Sequence, residues 1–313
     1  MDLAGGSQSV ATRFGFGRAE GVPDSHYVCG MKTFTAADVI DYYHHTEGHY
    51  RRFWRLEEAM GLHYGLWEAD TADLATAIQR VNQRLAELGP VPQGARVLDA
   101  GCGIGGSCFF LAETRSCRCT GITLSDRQVA KARQLAQARG LADRCSFEVM
   151  DYAATSFAAA SFDVVWVIES LGSAPEKAAF FAEMRRVLKP GGLLLVADTF
   201  KPTPYPIAQE PLMQTMLHGW AISDIQAVDE VQAMAAGHGF GPGEVQDITA
   251  GIRRSVQRIY YAAQLGRVGT WAYNLFRDAT PFSKVHYQTG LAQKRAYDRG
   301  LWGYYLLKWV RTG

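Results

Sequence analysis

A chain of 313 residues with 48% hydrophobic and 20% charged residues has the balance of a globular protein that buries a large core, as one big domain or one domain with a substantial insert. Thirty-two Lys and Arg against 31 Asp and Glu leave a net charge of +1, so nothing electrostatic singles out nucleic acid or anionic lipid as a partner. No run approaches the roughly 18 apolar residues of a spanning helix, and the opening MDLAGGSQSVATRFGFGR lacks the apolar segment of a secretory signal, so membrane insertion is not expected and a cytoplasmic location is.

Residues 1–34 are rich in Gly, Ser and polar side chains without a period, and read as an arm, mobile or pinned onto the body or a neighbouring subunit. Over 35–90 the pattern turns helical: AADVIDYYHHTEGHYRRFWRLEEAMG spaces its apolar and aromatic residues as a helix, and Thr71 to Leu88 forms another, ended by Gly89-Pro90. From 91 to 200 strand-like runs at Arg96–Ala100, Cys119–Leu124, Ser146–Met150, Phe162–Glu169 and Leu193–Thr199 alternate with helices. That order calls for right-handed crossovers and a parallel sheet covered on both faces. The helix Ala178–Leu188 should stop at Lys189-Pro190-Gly191-Gly192, which then launches the next strand.

Over 201–285 the signal is mixed, with a helix around Val228–Ala236, a strand at Glu244–Thr249 and a long aromatic helical stretch from Ile252 to about Phe276. Residues 286–313 supply a last helix and, in LWGYYLLKWV, a last buried strand. The six cysteines, Cys29, Cys102, Cys108, Cys117, Cys119 and Cys145, lack the paired spacing of a zinc site and read as reduced and buried, with no metal implied.

The informative segment is Val97-Leu-Asp-Ala-Gly-Cys-Gly-Ile-Gly-Gly-Ser107, an apolar strand running into a glycine-rich turn that opens a helix. Its glycines let the backbone approach a ligand, and Asp99 places a carboxylate beside that opening. An acidic residue there suits a ligand bearing an ammonium group better than a bare phosphate. The motif resembles the first motif of class I S-adenosylmethionine-dependent methyltransferases. GITLSDRQ, FEVMDY, FDVVWVIES and AEMRRVLKPGGLLLVAD follow in the family's order, so the resemblance runs over roughly residues 36–313.

It implies an α/β fold, a doubly wound, mostly parallel seven-stranded Rossmann-like sheet with N-terminal helices covering the cofactor and a helical, aromatic-rich cap insert. It also implies S-adenosyl-L-methionine as cofactor, with Asp99, Gly101 and Gly103 at its amino-acid end, Asp151 and Tyr152 by the adenine, and Ile168 nearby. Thr123-Leu124 stands where the broad superfamily has an acidic ribose ligand. GITLSDRQ instead looks like a branch of tocopherol methyltransferases, terpenoid C-methyltransferases and cyclopropane fatty acid synthases, in which Leu124 and Gln128 take over that contact. Tyr43, His63 and Tyr64 resemble the branch's cofactor-covering helix and loop; the other reading of these aromatics is simple core packing.

Glu169, at the end of the fourth strand where open α/β sheets place ligands, is the first candidate for a catalytic or acceptor-binding carboxylate; the alternative ties it structurally to a backbone amide or an Arg. His218 and His286 are candidate proton acceptors with structural alternatives. The dense aromatics between 205 and 305 suit a small hydrophobic acceptor. If Arg253, Arg254, Arg258, Arg267 and Arg277 converge they could hold a diphosphate; spaced along helices they form a solvated face. The leading expectation is C-methylation of a prenyl- or isoprenoid-bearing acceptor in specialised metabolism. N- or O-methylation of an aromatic natural product and a non-catalytic cofactor-binding protein are the alternatives, and a homo-oligomer through the arm or cap stays open.

Overall fold

The computed structural model describes residues 27–28, 31–32, 34–35, 38, 56–274 and 281–313. Tyr43, most of the expected arm and the body of the first expected helix lie outside them. Two short strands, β1 (Tyr27–Val28) and β2 (Met31–Lys32), pair antiparallel, and a single turn, α1 (Leu56–Ala59), precedes the longer α2 (Leu74–Leu88). In α2 the residues Leu74, Ala77, Ile78, Val81 and Leu85 recur at helical spacing and are all buried. The helix starts three residues later than Thr71 because Asp73 is its cap: the carboxylate accepts from the Thr76 amide at 2.8 Å.

The body is β3 (Arg96–Ala100), α3 (Gly106–Arg115), β4 (Arg118–Thr123), α4 (Asp126–Ala138), β5 (Cys145–Val149), β6 (Phe162–Ile168), α5 (Lys177–Val187) and β7 (Leu188–Phe200). There follow α6 (Pro211–His218), α7 (Val228–Gly237), β8 (Glu244–Asp247), α8 (Arg253–Asn274), α9 (Pro281–Asp298) and β9 (Gly303–Val310). Seven strands form one sheet in the order β5-β4-β3-β6-β7-β9-β8; β3 to β7 run parallel, and β9 pairs antiparallel with both β7 and β8. The chain winds outward from β3 to β5 and then returns to place β6 on the other side of β3, so the β3/β6 boundary is the point at which open α/β sheets bind ligands.

Alternate residues build two apolar layers, as a two-residue period requires. Val97, Trp166, Leu195 and Leu306 pack with α2, α3 and α6 on one face. Leu98, Val165, Val167, Val196 and Leu307 pack with α5 and α7 on the other.

Three elements differ from expectation. β7 starts at Leu188 with no intervening turn, because Gly191 adopts a φ of 75° and the β6/β7 register shifts between Phe162 and Val164, so the glycine pair forms an irregularity within the strand. β8 ends at Asp247, whose carboxylate accepts from the Thr249 amide at 2.8 Å and bends the chain into a 3-10 turn, Thr249–Ile252, ahead of α8. The boundary placed at 286 falls inside α9, which begins at Pro281. Among the described residues no helix is long and apolar enough to cross a membrane.

The glycine turn and the segment that covers it are locked together at Gly106, where an added Cβ would lie 1.9 Å from the Met60 carbonyl oxygen. Since that neighbour is backbone, Gly106→Ala should destabilise the protein by about 1–3 kcal/mol through overpacking, measurable by denaturant unfolding.

Candidate active site

The tips of four neighbouring strands carry the residues singled out in the sequence. Asp99 is on β3, Leu124 and Gln128 follow β4, Asp151 follows β5 and Glu169 follows β6. A parallel sheet brings these positions together because every crossover returns the chain to the same edge.

Asp99 is 2% exposed, and its Oδ2 accepts from the Cys108 thiol, Sγ···Oδ2 3.4 Å. Among the described residues it has no ion pair, and burial pushes its carboxyl up to about 7. The turn beside it depends on left-handed backbone at Gly101 (φ 97°) and Gly103 (φ 52°). A Cβ on Gly101 would strike Ser170 at 2.3 Å, whereas one on Gly103 would meet nothing within 4 Å. Gly101 thus lets β3 and β6 approach, and Ser170 closes the gap by donating to the Ala100 carbonyl at 2.5 Å; Gly103 faces open space.

Next to β4, Gln128 sits in the first turn of α4, where Ser125 caps its amide at 3.3 Å and the Thr123 hydroxyl donates to its carboxamide oxygen at 2.7 Å. Leu124 is half-buried between them. Asp151 is exposed and accepts from the Ala153 amide at 2.8 Å. Tyr152 turns inward: its hydroxyl donates to the Ser170 carbonyl at 2.9 Å and its ring meets Phe180 edge-on at 5.5 Å, tying the β5 loop to the β6 loop. Ile168 is buried beneath the tips.

Glu169 keeps some accessible surface at the strand tips, yet enclosure pushes its carboxyl up to about 8, with Asp198 adding to the rise. Its Oε1 accepts from the Tyr64 amide at 2.6 Å, which fits the backbone-amide alternative for this side chain without consuming the second oxygen. The Tyr304 hydroxyl lies close enough to favour the charged form but too poorly aligned for a full hydrogen bond. Glu169 also holds a φ of 47°, a left-handed conformation that costs a non-glycine residue about 1–3 kcal/mol. The Tyr64 ring packs against Trp302, Tyr304 and Trp220, with centroids at 5.4, 5.6 and 6.1 Å, a cluster of which all but Trp220 is buried in the core.

Sequence reasoning missed the support behind Glu169. Asp198 is buried and accepts from the amides of Thr199 (2.7 Å) and Gly172 (3.1 Å). Lys177, buried at the start of α5, donates to the carbonyls of Gly172 (3.0 Å), Ala174 (2.8 Å) and Asp224 (3.0 Å), and burial lowers its ammonium to about 8. A lysine in a first helical turn opposes the helix dipole, and that anomaly was the available signal.

The remaining candidates stand apart. His63 is buried with Nδ1 3.0 Å from the Tyr64 carbonyl oxygen, and burial lowers its imidazole to about 4, so it is neutral. His218 ends α6 against the Phe34 ring at 5.9 Å. Of His286 only the helical backbone is described. Arg253, Arg254, Arg258 and Arg267 are exposed on α8, with Arg254 over the Trp67 ring at 5.5 Å, so these four do not converge on a buried anion site; Arg277 lies outside the described residues. Cys102, Cys108, Cys117, Cys119 and Cys145 are free, buried thiols.

Residues 97–192 match the methyltransferase domain family. The 27-O-demethylrifamycin SV methyltransferase of Amycolatopsis mediterranei is 34% identical over 195 residues, which cover 62% of this chain and 71% of that enzyme. The chain belongs to the class I S-adenosylmethionine-dependent methyltransferases. The 2-methyl-6-phytyl-1,4-hydroquinone methyltransferase of Synechocystis is 42% identical over 138 residues, 43% of this chain and 42% of that enzyme. In fold, the methyltransferase is similar to the cyclopropane synthase MmaA2 of Mycobacterium tuberculosis, with a TM-score of 0.74, 17% identity and coverage of 89% and 99% of the two chains. Its cofactor is S-adenosylmethionine.

The raised carboxyls give this methyltransferase a particular acid-base behaviour. With Asp99 at about 7 and Glu169 at about 8, the folded protein holds more protons than the unfolded chain over the interval from the ordinary carboxyl range to pH 8. Stability of the ligand-free protein must therefore fall as pH rises through that interval. His63 acts oppositely between about 4 and 6.5 and Lys177, lowered to about 8, from there upward, so the decline should be clearest from about 6.5 to 7.5 and fade towards 8. Thermal midpoints across pH should show it, and Glu169→Gln should flatten the slope by about one proton.

Proposed function

We propose that this methyltransferase methylates a hydroxyl oxygen of a bulky, largely apolar acceptor, with Glu169 taking the hydroxyl proton. The carrying observation is a half-buried carboxylate with a carboxyl at about 8, held through one oxygen by the Tyr64 amide, next to the aromatic cluster of Tyr64, Tyr304, Trp302 and Trp220. A general base with that value is matched to proton removal near neutral pH. The rings offer a large apolar wall for the acceptor and exclude water from the proton transfer.

Asp99, with an oxygen to spare and no cation of its own among the described residues, fits the ammonium of S-adenosylmethionine, and the open Gly103 fits close approach of its amino-acid end. Leu124 and Gln128 would meet its ribose and Asp151 its adenine. When bound, the cofactor supplies a methyl group already activated by a sulfonium. What remains for the chain is alignment of the acceptor, exclusion of water and disposal of one proton. His218, against Phe34, and His63, neutral and buried, do not stand where this reading needs a base.

A rifamycin 27-O methyltransferase among the relatives supports oxygen as the methylated atom. The exposed arginines of α8 weigh against a prenyl diphosphate head. C-methylation of a prenyl-bearing ring is the second reading, favoured by the hydroquinone methyltransferase among the relatives and by the same aromatic wall.

The cap adds a polar demand. Thr289 and Gln293 lie four apart on α9, 1% and 0% exposed, and Thr289 Oγ1 with both ends of the Gln293 amide are buried without hydrogen bonds. Gln293 is joined to the aromatic wall through its carbonyl, which accepts from Trp302 Nε1 at 3.3 Å. Such groups cost about 1–3 kcal/mol each when unsatisfied.

Incubation with labelled S-adenosylmethionine and a panel of alkylated hydroquinones, oxygenated macrocycles and prenyl diphosphates, read by mass and by product fragmentation, tests this. An ether product is expected; turnover of prenyl diphosphates alone would overturn it. Glu169→Gln should lower kcat by about 10²–10⁴, and the wild-type rate should rise with pH and level off above about 8. Gln293→Leu with Thr289→Val should raise stability by about 1–3 kcal/mol, read by denaturant unfolding.

A further inference from the structure

Behind the glycine turn, three thiols on three elements end on one oxygen of Asp99. Cys108, in the first turn of α3, donates to Asp99 Oδ2 at 3.4 Å. Its sulfur lies near Cys119 of β4, whose register partner in the sheet is Cys145 of β5. Cys145 also donates to the Cys108 carbonyl at 3.7 Å. All three are free and buried; burial raises the Cys108 thiol, and contact with a neighbouring thiol, ahead of burial, raises Cys119 and Cys145, so all three stay protonated. The other oxygen, Oδ1, accepts no hydrogen bond among the described residues and is not sealed from the crevice.

We propose that Cys108 is a positioning residue for cofactor binding: its thiol, backed by Cys119 and Cys145, holds Asp99 Oδ2 and leaves Oδ1 for the ammonium of the cofactor's amino-acid end. This rests on the reading of Asp99 as the ammonium ligand.

The thiol is a weaker and longer donor than a hydroxyl. It therefore steadies the orientation of the carboxylate while doing little to hold it ionised, and Asp99 stays raised to about 7. The groups that face it are Cys102 of the turn, Cys108 of α3 and, behind them, Cys119 and Cys145, with Glu169 on the adjoining strand tip; among the described residues no cation acts on it. The cofactor's ammonium is then the group that ionises Asp99, and binding near pH 7 must release part of a proton.

S-adenosylhomocysteine carries the ammonium but not the sulfonium, so it isolates this contact. Calorimetry of the full chain with S-adenosylhomocysteine from pH 6 to 8.5, in buffers of different ionisation enthalpy, gives both affinity and proton release. The wild type should bind more weakly below about pH 7. Cys108→Ala should move that midpoint up by about one pH unit and weaken binding about tenfold at pH 7, with little change at 8.5. Cys108→Ser should move it down and restore affinity, which also covers the case in which the alanine variant fails to fold. Equal midpoints in the wild type and Cys108→Ser overturn the proposal. Asp99→Asn separates the two ideas: unchanged binding defeats the role given to Asp99. Weakened, pH-independent binding in Asp99→Asn, beside unmoved midpoints in the cysteine variants, defeats the role of Cys108 alone.

Discussion

Asp99 at the tip of β3 is buried and Glu169 past the tip of β6 is half-buried, and neither has a buried basic side chain against it among the described residues. Burying a carboxylate in this way is costly unless a cation or a proton neutralises it. The rest of the site can be understood as arrangements that make the cost bearable. Asp99 is given a thiol donor, and Glu169 a single amide. Both remain close to neutrality without ligand, ready to become charged when a cationic group or an acceptor proton arrives.

That arrangement depends on how the strands are brought together. Gly101 has no side chain where Ser170 must pass, so β3 and β6 can close and Ser170 can bond to Ala100. Gly106 leaves room for the Met60 carbonyl, which places the 60–66 segment over the turn and delivers the Tyr64 amide to Glu169. The glycines therefore act in two ways: at 103 the turn needs backbone freedom, and at 101 and 106 the packing needs absent atoms.

The positions that the resemblance assigns to the cofactor could be named from the sequence because they are local. Asp99, the glycine turn, Leu124 and Gln128 are each fixed by a few neighbouring residues, and β3 was placed at its observed limits from apolar content and the glycines that follow. The acceptor side is assembled from distant segments. Tyr304 reaches Glu169 because β9 runs antiparallel to β7 with Thr199 opposite Tyr304, a register that LWGYYLLKWV does not reveal. Tyr64, Trp220 and Trp302 come from a loop, the segment after α6 and the approach to β9; Tyr64 could be singled out through the resemblance, whereas the two tryptophans read only as aromatic content. Cys108 was legible as a buried thiol and not as a partner of Asp99, since their contact exists only once α3 folds back over β3. Of the two readings open for the arginines, a shared anion or a solvated helix face, four of them follow the second, as their spacing along one helix allows.

The contrast between the two sides has a physical reason. A cofactor of fixed structure can be met by a short motif whose backbone geometry is nearly self-contained. An acceptor site has to be large and shaped, and the surface for it must come from elements added beyond the shared sheet. Here α6, α9 and β9 supply that surface, and they are also where Thr289 and Gln293 lie buried with hydrogen-bonding capacity unspent. A cap selected for stability alone would carry Val and Leu there, because apolar groups of that shape fill the seam without a desolvation cost. Polar groups sealed within the cap, and Glu169 held in a left-handed conformation at the strand tips, are the places where this fold carries a cost without an evident structural return.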